Sequence, residues 1–374
     1  MSIESLPRGG EQNHFNLLRL IAASAVVVSH AYGVTLGPTT PDPFERLLGF
    51  DLGATAVTAF FAISGYFVSL SFDRRKSNLG FFMARVTRII PGLLAVSLIT
   101  AFIVGPLLTV LPLPAYFSNE AVWLYSLQNV SIYRIMTSTL PGVFVHNPIP
   151  DKINASLWTL FYEVGCYIGL FAVGILGFLR RERFLWVLAA WLPVYFVARY
   201  GPWDKLFQFA IFSVPFLFGM AAYHFRSAKI LRGWIALVLF AVAFGLAVTG
   251  HGVEELWSLA VAYGVLWLGF APAPALLAYN RIGDFSYGTY IYGFPAEQVI
   301  ATLFPGIGPL TMIVLGVPTS ILLGAFSWRF VERPALLLRR MTGRRNVDAA
   351  EPPYPGTAEA TAAPLAPAPA PQPD

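Results

Sequence analysis

The chain has 374 residues, of which 56% are hydrophobic, 15% aromatic and only 12% charged, against about 25% charged in an ordinary soluble domain. So few charges cannot cover a soluble fold of this size, which excludes a conventional cytosolic enzyme, a disordered chain and a nucleic-acid binder of the basic-patch kind. A mean hydropathy of +0.63 and long uninterrupted apolar runs, rather than the alternation of a membrane barrel, predict an all-α polytopic membrane bundle.

A membrane span needs about 20 mainly apolar residues. Ten stretches meet that need: 16–35, 53–72, 88–111, 156–178, 184–200, 206–224, 231–249, 253–270, 285–304 and 309–330. The first is not a cleaved signal, because no small-residue cleavage site follows it and it contains Arg19 and His30. With the N-terminus inside, 18 basic residues fall on inner segments, among them Arg8, Arg75, Lys76, Lys229 and Arg345, and 5 on outer ones, among them Arg134. That bias predicts both termini in the cytosol and accounts for the net charge of +5.

The longest outer connection, 112–155, carries Tyr116, Phe117, Trp123, Tyr125 and Tyr133, with a short interfacial or re-entrant helix expected within 119–136. Such residues suit sugar stacking and equally a membrane interface belt. Asn154-Ala155-Ser156 fits a glycosylation acceptor by pattern. The single cysteine, Cys166, lies in an apolar run and reads as a small hydrophobe. The expected organisation is a cytosolic segment at 1–14, a membrane domain at 15–335 and, at 336–374, a basic and then Ala/Pro-rich disordered tail whose 348–374 stretch has little to bury.

Ionisable groups in hydrocarbon are costly and therefore candidates for function. Arg19 and His30 are eleven residues apart on the first span. At 100° per residue they share one face, separated by about 16 Å along the axis. Alone, Arg19 also reads as a topology anchor and His30 as a hydrogen-bonded core residue. On the second span Ser64, Gly65 and Tyr66 place a hydroxyl, a glycine and a phenol mid-membrane, which close helix packing is enough to explain. Arg85 and Arg88 lie one turn apart where the third span leaves the cytosol. They fit phosphate recognition or ordinary positive-inside anchoring. Glu163, on the fourth span, lies at a depth similar to that of His30, and the two could form a base and its orienting acid. The five histidines are scattered, and no metal-ligand spacing is visible.

Together these residues resemble the acyltransferase-3 family of integral membrane acyltransferases, over roughly residues 14–335. The carriers are Arg19 and His30; Phe61-Ala62-Ile63-Ser64-Gly65-Tyr66; Arg85-Val86-Thr87-Arg88 with Pro91; Ser156-Leu157-Trp158-Thr159-Leu160-Phe161-Tyr162-Glu163; Ser286-Tyr287-Gly288-Thr289-Tyr290 with Pro295; and Glu332-Arg333-Pro334. One departure is Gly293, where many members have a histidine.

The resemblance implies transfer of an acyl group, usually acetyl, from acyl-CoA to a carbohydrate hydroxyl such as that of a polysaccharide, an O-antigen or a lipo-oligosaccharide. The expected setting is the inner membrane, with multiple spans; the scattered histidines give no expectation of a metal, and the composition none of a nucleic-acid partner. His30 and Glu163 would be catalytic. Arg19, Arg85 and Arg88 would hold the phosphates of the donor, and Ser64, Tyr66, Trp158, Tyr287 and Tyr290 would line the substrate site. A transporter or flippase of lipid-linked sugars, using the same Arg, His and Glu as a proton relay, is the alternative reading.

Overall fold

The computed structural model describes residues 13–74, 77–132, 139–226 and 231–344. The expectations placed on Arg8, Arg75, Lys76, Tyr133, Arg134, Lys229, Arg345 and the 348–374 tail lie outside the described residues. Long helices form at each of the ten apolar stretches: α1 (Phe15–Leu36), α2 (Leu52–Arg74), α3 (Asn78–Ile99), α4 (Thr159–Ile175), α5 (Arg181–Tyr200), α6 (Asp204–His224), α7 (Gly233–Val248), α8 (Glu254–Phe270), α9 (Ser286–Leu303) and α10 (Pro309–Ser327). Among the described residues the only β-type pairing is an isolated bridge between Thr109 and Val143.

Six helices are long and apolar enough to cross a membrane unaided. These are α1, α2, α6, α3 extended to Leu108, α4 with its leading turn from Ala155, and α10 extended to Leu338. A seventh forms only if α8 and the 3₁₀ segment Pro274–Arg281, bent by 88°, act as one span. By this test the chain is a multi-pass membrane protein, with fewer self-sufficient spans than the ten expected. The four remaining helices fail it for readable reasons. α7 is short at 16 residues. α8 has only 17 residues before the bend. α5 carries Arg181, Glu182, Arg183 and Arg199. α9 buries Ser286, Thr289, Glu297 and Gln298, polar groups that surrounding protein shields from lipid.

Glycines set the closest contacts. A Cβ on Gly65 of α2 would lie 2.0 Å from the Phe216 carbonyl oxygen, and one on Gly219 of α6 would lie 2.1 Å from that of Ala62. The two helices therefore touch backbone to backbone, and the small-residue explanation of Ser64-Gly65-Tyr66 holds for Gly65. Tyr66 is buried among the rings of Phe67, Tyr223 and Phe270. Cys166 is likewise in the core. The outer surface presents large apolar side chains such as Leu107, Leu185, Leu237 and Leu310, a belt suited to lipid rather than water.

The described parts of the 112–155 connection include Ile149 and Ala155, which pack on Ala31 and Val34 toward the far end of α1. A helix at Glu120–Val130 occupies the place of the expected interfacial helix. Tyr116 and Tyr125 are buried, and the Tyr116 hydroxyl donates to the Ala101 carbonyl at 2.7 Å, so neither offers a face to a sugar. Trp123 remains exposed. Asn154 is buried, accepting from the Ser156 amide at 3.2 Å and donating to the Ile291 carbonyl at 2.8 Å, which removes it as a glycosylation acceptor. Gln298 secures the same loop by donating to the carbonyls of Ile149 at 2.8 Å and Lys152 at 2.7 Å.

Candidate active site

Near the base of the bundle, where α1 begins, Asp284 occupies the turn before α9. The turn is shaped by Gly283, whose φ of +131° lies in the left-handed region and whose Cβ, if present, would meet Trp328 Nε1 at 2.4 Å. Arg88 of α3 donates to Asp284 at 2.6 Å, Arg19 of α1 pairs with it at 3.6 Å, and the Ser286 hydroxyl donates at 2.5 Å. Burial opposes ionisation of Asp284. Arg88 and Arg19, with the hydrogen bonds from Ser286, nevertheless hold its carboxyl below the usual carboxylate range. Beyond α10 the helix passes through a π-turn at Trp328–Glu332. The turn brings buried Glu332 to 3.7 Å from Arg88, where it accepts from Ser327 at 3.0 Å. Two guanidinium groups are thus matched by two carboxyls.

Arg85 belongs to a different neighbourhood. It donates to the Ser71 hydroxyl and to the Phe81 carbonyl, each at 3.1 Å, and its guanidinium lies 4.2 Å over the Phe81 ring. The three arginines expected to act together are therefore divided between two sites.

The tyrosines and Trp158 act as braces. Tyr287 donates to the Ile89 carbonyl at 2.8 Å beside Arg88, linking α9 to α3. Tyr290 donates to the Ser156 carbonyl at 2.6 Å and lies 2.5 Å from the Thr159 hydroxyl, so two of the sequence motifs meet at one phenol. Trp158 packs on the rings of Tyr162 and Phe212.

His30 and Glu163 do not pair: no hydrogen bond or ion pair joins them among the described residues. Glu163 instead accepts from the Ser64 hydroxyl at 3.1 Å and from the Tyr167 hydroxyl. The acid beside His30 is Glu297 of α9, with Oε2 at 4.0 Å from Nδ1. The Glu297 side chain is fully buried, and neither its oxygens nor His30 Nδ1 has a hydrogen-bond partner. The His30 ring stands edge-on to Phe294, and its side chain keeps 25% exposure.

The approach of α1, α9 and α10 explains this pair. Val27 lies one turn before His30, and a Cβ on Gly293 would meet its Cγ2 at 2.7 Å. On α10, a Cβ on Gly316 would lie 3.3 Å from Glu297 Cγ and 3.8 Å from Val27 Cγ1. Any side chain at position 293 would have to displace Val27, which fits the glycine found there.

Glu297 and Asp284 are the residues that sequence reading missed. Glu297 lies within the 285–304 stretch, and the rule that singles out Glu163 applies equally to it. Asp284 stands one residue before that stretch, in a connecting turn, so the search for charges within spans passes over it.

Comparison with known proteins bears on this arrangement. The acyltransferase-domain model of the acyltransferase-3 family matches residues 13–329. An O-acetyl transferase of Shigella phage Sf6 is 30% identical, the match covering 86% of this chain and 96% of the relative. Nodulation protein 10 of Rhizobium leguminosarum bv. viciae is 29% identical, over 91% of this chain and 98% of its own length. No solved structure matches. With the family model spanning the helices that carry Arg19, His30, Arg88, Glu163 and Glu297, the chain belongs to the acyltransferase-3 family of membrane acyltransferases.

Proposed function

We propose that the protein transfers an acyl group, acetyl in the first instance, from acyl-CoA to a hydroxyl of a surface or lipid-linked carbohydrate. It acts in the inner membrane, with ten membrane-crossing helices and both termini in the cytosol. The basic-residue bias of 18 to 5 supports that orientation, and the O-acetyl transferase of phage Sf6 supports acetyl transfer to oxygen.

One observation carries the reading: an imidazole and a carboxyl group, both short of hydrogen bonds, face each other within an apolar bundle. With Nδ1 turned to Glu297, Nε2 is the nitrogen left for the acceptor. It takes the proton of the acceptor hydroxyl as that oxygen attacks the thioester carbonyl carbon. Collapse of the tetrahedral intermediate breaks the C–S bond, and the imidazolium returns its proton to the departing thiolate. Glu297 orients the ring and stabilises the imidazolium, its 4.0 Å separation closing as substrate binds. Arg19 and Arg88, fixed by Asp284 and Glu332, order the inner mouth, and Arg85 stands beside it as a phosphate contact. Glu163 positions Ser64 and Tyr167 along the donor's path.

The test combines acyl-CoA turnover by the purified protein with structural analysis of cell-surface glycans with and without the gene. Loss of one O-acetyl signal is expected. Undiminished turnover by a folded His30→Ala variant would end the reading, and glycans lost entirely rather than de-acetylated would indicate transport instead.

A further inference from the structure

The inner site described above is balanced in charge, yet a donor carrying several phosphates needs a net positive berth. A second feature at the base supplies one. The ends of α2, α4, α5 and α6 border a half-open cavity of about 590 Å³ lined by Asp73, Arg180, Arg181, Glu182, His224 and Arg226, with Phe72 and Gly174 in its wall. That volume suits a ligand of nucleotide size.

Three features of its lining favour a phosphate. Three guanidinium groups face two carboxyls, a formal excess of one positive charge; Tyr223 steadies both signs, its hydroxyl donating to Asp73 and its carbonyl accepting from Arg226, each at 2.8 Å. The 20-residue helix α5 begins at the cavity with no side-chain cap, so the positive end of its dipole points there. His224 is only 8% exposed, lines the cavity, and has no hydrogen-bond partner for Nε2. Its ring is held against Phe184 with centroids 4.9 Å apart. A buried ring nitrogen without a partner is costly unless a ligand completes it.

The cavity also adjoins the donor's path. Phe72 in its wall packs edge-on against Phe81, 5.5 Å between centroids, and Phe81 carries the Arg85 guanidinium. Arg85 in turn donates to Ser71, the neighbour of Phe72.

We infer that this cavity binds a phosphate-bearing group of nucleotide or headgroup size. The phosphate has two sources: the nucleotide end of the donor, which rests on the function proposed above, and the headgroup of an anionic inner-leaflet phospholipid, which does not. Arg180 and Arg226 grip the phosphate through paired N–H donors, and His224 Nε2 supplies a further polar contact.

The full-length protein is placed in phosphatidylcholine nanodiscs and titrated calorimetrically with adenosine 3′,5′-bisphosphate. In a second arm, retention of phosphatidylglycerol is measured by native mass spectrometry. Arg180→Gln and Arg226→Gln are expected to weaken one of the two probes by about tenfold each. Arg281→Gln, an exposed arginine outside the cavity, leaves both unchanged. His224→Phe retains the ring against Phe184 while removing Nε2, and gives a smaller loss. Loss of nucleotide binding identifies the donor as the source, and loss of lipid retention identifies the headgroup. If neither probe responds in folded variants, the inference is overturned. Acyl-CoA turnover by the unmutated protein is read separately: absent turnover with cavity-dependent binding defeats the proposed function and leaves the cavity standing, whereas normal turnover with indifferent binding does the reverse.

Discussion

At the base of the bundle Asp284 is gripped by Arg88, Arg19 and Ser286. Farther from the base, Glu297 of α9 has no hydrogen bond and meets His30 of α1 only at 4.0 Å. Both carboxyl groups are almost wholly excluded from solvent. Asp284 is saturated, so its side chain has one arrangement, and removing it strands the buried charges of its partners, whereas Glu332 Oε2 beside it forms no hydrogen bond and meets Arg88 at 3.7 Å. The His30–Glu297 pair is unsaturated, so it can respond to a substrate proton. Buried groups of the same chemistry thus divide into fixing and reacting roles according to how completely their partners satisfy them.

Four predictions break or sharpen this contrast. The largest effect is expected at the unsaturated pair. His30→Ala lowers acyl transfer by about 10² to 10⁴, and Glu297→Gln lowers it strongly, while thermal unfolding in detergent changes little because no hydrogen bond is lost. Glu163→Gln, which keeps an acceptor for Ser64 and Tyr167, lowers turnover far less than Glu297→Gln. The reverse ranking would restore Glu163 as the partner of His30.

The saturated Asp284 is expected to behave oppositely. Asp284→Asn destabilises by about 3–5 kcal/mol, because Arg88 and Arg19 are left without their counter-charge. The loss is read as a fall in melting temperature, and adding Arg88→Met recovers part of it. Equal stability of Asp284→Asn and the unmutated protein would remove the distinction between the two clusters.

The pH dependence of that difference follows from the lowered carboxyl of Asp284. A carboxylate depressed by folding contributes stability that is complete above its unfolded value of about 3.9 and disappears as pH falls through its folded value. The stability gap between the unmutated protein and Asp284→Asn is therefore constant from neutral pH down to about pH 4 and closes below it. A gap that closed near neutrality would assign the ionisation elsewhere. The smallest effect concerns the contact that brings the outer pair together. Gly293→Ala pushes a methyl group to 2.7 Å from Val27, costing about 1–3 kcal/mol by overpacking and reducing turnover as α1 and α9 move apart.

Much was legible before any coordinates. Apolar run length located the ten helices, because a backbone in hydrocarbon must satisfy its own hydrogen bonds. Composition was a poorer guide to which helices cross unaided. α9 is polar along its length because protein surrounds it, so burial in the bundle replaced the hydropathy that lipid contact would demand.

The sequence by itself determined the class of protein, the ionisable groups on its spans and the motifs of its family, since each depends on residue type and local spacing. Partnership was decided only by tertiary structure. Arg88 reaches Asp284 across 196 residues, and Glu163 was paired with Ser64 rather than His30 across 99. Gly293 and Gly316 decided that Glu297 would meet His30, through an approach of α1, α9 and α10 too close to admit larger side chains. Depth along a helix follows from counting residues. Which neighbour stands at that depth follows from how helices pack, and sequence spacing within one helix carries no information about that.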